Sequence, residues 1–418
     1  MPEKIPPNPA LPGEQSLRFH LQIDKDGVPR NVTLLDSNDP AWAKQVTKIL
    51  QIWRFRPAMQ NGNFVQVEGD FEMAHSGGLE ATGTVAVQEA AHDDEPPAPA
   101  VTVRRIPAPV PVAGMNPRTH HTATLLPNGT VLLAGGVVSS QSLASAQIFD
   151  WAIHRIVNTG DMTEMRADHT ATLLRDGTVL IVGGHSTQPL ASAELFDPST
   201  GKFSKTGSLH EAREAHAAAM LPDGRVLICG GMTAPNKYTA SAEIYDPKTK
   251  TFARAASMIA ARASFHAVIL MDGSILLIGG FGQAAATAEI YDPLHGTFHP
   301  AGSMAVPRAG FNTARLKSGK VLIVGGGAAA ELYDPATKSF QPTGPMSQLR
   351  ETSEALLLND GKVLVSGGVA PTEIYDPAAA TFSPGPTLSG PYTSHTSTLL
   401  QDGSVLIAGG SAELLVIK

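Results

Sequence analysis

The chain has 418 residues and a formal net charge of −7, with no run of lysine or arginine, which excludes the basic surface that nucleic-acid binding needs. Forty glycines, 32 prolines, 42% apolar and 17% charged residues exclude a disordered chain and point to short buried strands joined by many turns, over a length that needs more than one packed unit. The single cysteine, Cys229, excludes an intrachain disulfide and, within the apolar run 226–229, reads as a buried, inert thiol.

Residues 1–16 lack the apolar core of a signal peptide, and no 18-residue apolar stretch occurs in the chain. Residues 17–35 alternate apolar and polar side chains around Asp26-Gly27, which predicts a hairpin with one buried face. A helix is predicted next: Asp39 caps it, Pro40 suits its first turn, and Trp42, Val46, Ile49, Leu50 and Trp53 form one apolar stripe. Residues 54–73 then read as extended chain with a turn at Asn61-Gly62.

This order, with Trp53-Arg54-Phe55-Arg56-Pro57-Ala58 after the helix, resembles the carboxy-terminal domain of the TonB energy transducers. The resemblance implies a small α+β domain over residues 1–75, placement in a bacterial periplasm or cell envelope, and strand addition to a segment of an outer-membrane receptor as its partner. Residues 76–101, rich in Gly, Ala, Glu and Pro, read as a solvated linker.

From residue 102 onward the chain repeats itself seven times at a spacing of 42 to 49 residues. Each copy has a turn pair (Asn128-Gly129, Asp176-Gly177, Asp223-Gly224, Asp272-Gly273, Ser318-Gly319, Asp360-Gly361, Asp402-Gly403), then an apolar run ending in Gly-Gly. Five copies then close on aromatic-Asp-Pro, from Phe196-Asp197-Pro198 to Tyr375-Asp376-Pro377. The turn pairs predict tight hairpins with both central residues at positive φ. The unbroken apolar runs predict strands buried on both faces.

These features resemble the kelch repeat, in its bacterial, galactose-oxidase-like branch, and imply a mainly β, seven-bladed kelch β-propeller over residues 102–418. The seventh copy stops at Ala412-Glu413-Leu414-Leu415-Val416 without a fourth strand. Residues 102–113 precede Met115-Asn116-Pro117-Arg118 as the fourth strands of other copies precede their own Met and Arg, so this segment is expected to complete the last blade.

A loop before each first strand carries Arg118, Arg166, Arg213, Arg262, Arg308 or Arg350, followed by His121, His169, His216, His266, Asn312 or Glu354; the seventh copy has Tyr392 and His395. One reading is a polar, His-rich ring at the mouth of the central channel, able to hold an anion or a metal; the other is a set of arginines bracing adjacent blades through backbone carbonyls. A second asymmetry lies between Gly-Gly and the third-strand Glu (Gln147 in the first copy), where the intervening residues number 10, 9, 11, 8, 4, 4 and 2. The long loops of the first four copies bring His185, Lys237, Tyr238 and Phe281, and are expected to share a face with the arginine loops.

No catalytic set, metal-ligand set or cofactor motif emerges. The recurring third-strand glutamates are too alike to divide acid and base roles. Copper radical oxidases of the galactose oxidase type use two tyrosines, one joined to cysteine, and two histidines; here the one cysteine lies in a buried run and Tyr-His is absent. The expectation is a non-catalytic binding protein of the bacterial envelope, holding a protein or glycan partner on the long-loop face, with a kelch-propeller enzyme as the alternative.

Overall fold

The computed structural model describes residues 15–23, 29–37, 58–60, 63–65, 67–75, 79–87, 101–102, 109–282, 285–390 and 392–415. The chain divides into two compact units, residues 1–107 with 418, and residues 108–417.

In the first unit Gln15–Ile23 pairs antiparallel with Pro29–Ser37 on one side and with Val67–His75 on the other. Ala58–Gln60 and Asn63–Val65 form a separate short hairpin around Asn61-Gly62. The predicted helix over residues 39–53 lies outside the described residues. The linker expected over residues 76–101 is replaced in part by structure: Leu79–Val87 pairs with Val67–His75 along all 9 residues, and Val101–Thr102 pairs on its outer side. The β-branched residues Thr82, Thr84, Val85 and Val87 suit a strand, and the surrounding Gly, Ala and Glu mask that preference in composition.

The second unit consists of seven antiparallel four-stranded sheets. Blade one runs Thr122–Leu125, Val131–Ala134, Ala146–Asp150 and Arg155–Asn158, each strand paired with the next. The same order recurs through blade six, which starts at Glu354–Leu357 and ends at Thr381–Thr387. In blade seven, Thr396–Leu399, Val405–Ala408 and Ala412–Leu415 are completed by Val110–Pro111, with Glu413 opposite Pro111 and Leu414 opposite Val110. Val112 N–H also donates to Ala412 O at 2.8 Å. First strands of successive blades adjoin, and that of blade seven adjoins that of blade one, so the ring is closed.

Every second strand is buried on both faces, as its unbroken apolar run requires. Its two faces feed the apolar layers to either side: Leu227 and Cys229 pack toward blade four, whereas Val226 and Ile228 pack toward blade two. Such a layer lies between every two adjacent blades, including seven and one. Each such Leu, Ile or Val contributes about 1.5–3 kcal/mol.

The hairpins between first and second strands differ from the expected two-residue turns. Only the glycine is left-handed, at φ +84° for Gly129, and its N–H donates to Leu126 O at 2.9 Å. The preceding Asn128 instead accepts Thr130 N–H through Oδ1 at 3.1 Å, the Asx geometry that a short polar side chain offers without positive φ. The Gly-Gly pair is fixed by crowding: a Cβ on Gly136 would lie 2.5 Å from Thr119 O, and one on Gly135 2.4 Å from Arg166 O.

Candidate functional site

The six loop arginines face inward. Arg118, Arg166, Arg213 and Arg262 are buried, as are Arg308 and Arg350, and their guanidinium groups bind their own blades. Arg213 Nη1 donates to Gly230 O at 2.8 Å and Ser241 O at 3.0 Å, while Nη2 reaches Glu243 Oε1 at 3.3 Å. Arg166–Glu194, Arg262–Glu289, Arg308–Glu331 and Arg350–Glu373 repeat the pair at 2.8–3.2 Å. The glutamate also accepts a backbone N–H from the incoming loop, such as Ile259 to Glu289 at 2.7 Å. The expectation that Arg118, Arg166, Arg213 and Arg262 meet a ligand is therefore corrected: each is buried with its Nη1 and Nη2 groups spent on oxygens of its own blade, although the Nε of Arg166, Arg213 and Arg262 is buried without a partner.

His121, His169 and His216 are buried too, and each joins neighbouring blades. His169 Nε2 lies 3.0 Å from Thr122 Oγ1, His216 Nε2 2.9 Å from Thr170 Oγ1, and His121 Nε2 3.2 Å from Thr396 Oγ1. Burial, reinforced by the adjacent arginine, pushes His121 and His216 down to about 3 and His169 well below its ordinary value. These three are neutral struts between blades, not a cationic ring for an anion.

The register of the repeat also differs from its sequence reading. Phe265, Phe311 and Ser353 are the counterparts of His121 in blades four to six: a Cβ on Gly280 meets Phe265 as one on Gly136 meets His121. His266 and Glu354 start their first strands as Thr122 starts its own, and Asn312 sits one residue into its strand. With Thr352, Ser394 and His395, they line a cavity of about 140 Å³. Burial raises the Glu354 carboxyl to about 8 against a hydrogen bond from Asn312, and lowers His266 and His395 to about 4.

At the rim, the residues before the strut position, held by histidine in blades one to three and by Phe265 in blade four, adopt left-handed backbone and link blade to blade. His120, Asp168, Ala215 and Ser264 have φ of +49 to +54°, and Asp168 N donates to His120 O, Ala215 N to Asp168 O, and Ser264 N to Ala215 O at 2.8–3.2 Å. His120 Nδ1 lies 2.9 Å from Asp168 Oδ1, a hydrogen bond that raises the imidazole pKa. His185 Nδ1 lies 3.6 Å from Asp168 Oδ2 and 2.5 Å from Glu214 Oε2. Desolvation, with Asp168 close by, raises Glu214.

The long loops do share this face. Ala167 pairs with His185, Glu214 with Met232, and Arg262–Ala263 with Phe281–Gly282. Met232 in turn pairs with Tyr238, and a Cβ on Gly282 would come within 3.5 Å of the Tyr238 ring. Tyr238 is half-buried, Lys237 exposed, and Phe281 50% exposed. His185, Lys237, Tyr238 and Phe281 thus follow one another along blades two to four. His120, Asp168 and Glu214 join them without having been singled out in the sequence; the side chain at the left-handed rim position, which varies from blade to blade, is the signal that marks the first two.

The Kelch motif matches residues 165–210, 215–259 and 262–305, the segments that hold blades two, three and four. Residues 108–417 are a kelch-repeat β-propeller. Residues 14–74 match the carboxy-terminal region of the Gram-negative bacterial TonB protein. No curated protein sequence matches the chain. Among solved structures, the kelch propeller is similar to a fungal alcohol oxidase of the AA5 family in complex with copper, at 16% identity, with 74% of this chain and 75% of that one covered and a TM-score of 0.60. It is also similar to YjhT, at 14% identity over 72% of this chain and 99% of that one, with a TM-score of 0.52. At these identities the likeness is one of fold. Among the described residues no helix is long and apolar enough to cross a membrane.

Proposed function

We propose that the kelch propeller is a non-catalytic recognition module that holds a glycan or protein ligand on the channel mouth at blades one to four. The supporting observation is that Phe281, Tyr238, Lys237, His120, Asp168, His185 and Glu214 come together on that part of the rim, while the recurring arginines and third-strand glutamates are spent on bracing. Phe281 and Tyr238 offer apolar area beside Lys237, and His120, Asp168, His185 and Glu214 offer donors and acceptors on a backbone fixed by hydrogen bonds. Aromatic anchors ringed by polar groups on a rigid scaffold are the usual makings of a recognition surface. This combination favours a polyhydroxylated ligand. The TonB-like unit supports work in a Gram-negative envelope, where it would pair with a receptor segment by strand addition.

Copper radical chemistry does not fit these residues. Cys229 is buried between blades three and four beside Met258 and Phe265, and burial pushes its thiol to about 12. Screening the purified chain on an array of bacterial-envelope and plant-cell-wall glycans tests the recognition reading. Selective retention of one glycan class is expected; retention of none contradicts the glycan assignment.

A further inference from the structure

We propose that Asp168, His185 and Glu214 form a divalent transition-metal site at the rim of the propeller. One nitrogen and two carboxylate ligand atoms converge within 4.8 Å of one another. The His185 Nδ1 atom is closed off from solvent and faces Glu214 Oε2 at 2.5 Å and Asp168 Oδ2 at 3.6 Å. An imidazole lone pair and two carboxylates facing one point is an arrangement that a cation relieves, since the two acidic groups otherwise repel.

The three ligands come from rigid backbone. His185 N donates to Ala167 O at 2.9 Å, Glu214 N to Met232 O at 3.0 Å, and Asp168 N to His120 O at 3.2 Å. Asp168 spends Oδ1 on His120 Nδ1 and turns Oδ2 toward His185, so His120 orients a ligand from outside the site. Bonds of about 2.1 Å in a tetrahedral site place ligand atoms about 3.4 Å apart. The 3.6 Å between His185 and Asp168 already matches, and the 2.5 Å to Glu214 needs a side-chain shift of about 1 Å.

The side chains of His185, Asp168 and Glu214 are 28, 32 and 16% exposed, so a fourth position faces the channel mouth. One imidazole with two carboxylates suits Zn²⁺, Co²⁺ or Mn²⁺ and gives Mg²⁺ and Ca²⁺ no advantage. The site shares Asp168, His185 and Glu214 with the proposed recognition surface, and a metal titration carried out without any glycan tests it separately.

Titration of the untagged, chelator-stripped full chain with Zn²⁺ by calorimetry, and with Co²⁺ by visible absorption, tests the site. One equivalent per chain is expected, with an excess of Mg²⁺ or Ca²⁺ failing to displace it. His185→Ala and the near-isosteric Glu214→Gln should each weaken binding at least about tenfold. His295→Ala, which breaks an exposed His–Asp pair in the Asp292 turn, should leave it unchanged. Absence of stoichiometric binding by the wild-type chain, binding that survives both rim substitutions, or equal competition by Mg²⁺ or Ca²⁺ overturns the proposal.

Discussion

Tyr392 stands where the other six blades have a buried arginine, and its hydroxyl donates to Glu413 at 2.8 Å. The third-strand carboxylate is thus served in blade seven by a phenol, with Ser389 N–H and the hydroxyl of Ser411 completing the network. Both solutions follow from one demand: a buried carboxylate must be hydrogen-bonded.

The two braces differ in cost when broken. Arg213→Ala removes the guanidinium that neutralises the buried Glu243, leaving its carboxylate only the donors of His210 and Glu211, and is expected to destabilise by about 3–5 kcal/mol. Tyr392→Phe removes one hydrogen bond to a carboxylate that keeps others, and is expected to cost about 1–3 kcal/mol. Denaturant titrations of the two variants check the order; equal losses would show that the phenol and the guanidinium carry the same load.

Acid should unfold the propeller through its histidines. His121 and His216 at about 3, and His266 and His395 at about 4, lie below the ordinary 6.5 of the unfolded chain. Between those values the unfolded state binds protons that the native state refuses, so stability falls as pH falls. For the four groups together the loss between pH 6.5 and 4 should be on the order of 10 kcal/mol. Glu354, raised to about 8, has the opposite sign: its contribution is full below about pH 4.5 and is lost as pH rises through 8. Melting temperatures across pH should show a steep acid limb softened by His216→Gln and an alkaline limb flattened by Glu354→Gln.

The ring is closed by Val110–Pro111 on Ala412–Leu415 and by Val112 in the layer between blades seven and one. Deleting residues 1–112 should lower the melting temperature by more than about 5 °C relative to deleting residues 1–75. Equal melting temperatures would mean that this strand contributes little to closure.

Cys229, with its thiol pushed to about 12, should not react with a disulfide reagent in the native protein and should give one equivalent in denaturant. Copper-loaded protein should release no hydrogen peroxide from galactose. Rapid native labelling, or peroxide release abolished by Cys229→Ser, would reopen the oxidase reading.

The propeller is legible in the sequence because each copy restates it: the turn pair, the apolar run, Gly-Gly and the third-strand Glu each fix one strand or its end. Register at the channel is less legible. In blades four to six, Phe265, Phe311 and Ser353 replace the histidine strut, and His266, Asn312 and Glu354 follow at once and imitate it. The rim cluster is hidden for a different reason. Asp168, His185 and Glu214 share no motif and meet only because Ala167 pairs with His185, and Ala215 donates to Asp168 O across the blade boundary. The loop residues Lys237, Tyr238 and Phe281 are visible from length variation alone, since their loops depart from the repeat.

The central claim is that the aromatic rim of blades three and four anchors the ligand. For a glycan retained on the array, affinities measured by calorimetry for wild type, Tyr238→Ala, Phe281→Ala and Asp272→Ala test it most directly. Asp272 lies in a hairpin turn away from the rim, where its carboxylate holds Ser274 N–H. The account predicts that either aromatic substitution weakens binding at least about fivefold, the cost of an anchor worth about 1 kcal/mol or more, while Asp272→Ala binds as wild type does. Silent aromatic substitutions with a damaging Asp272→Ala would contradict the account and move the site to the opposite face.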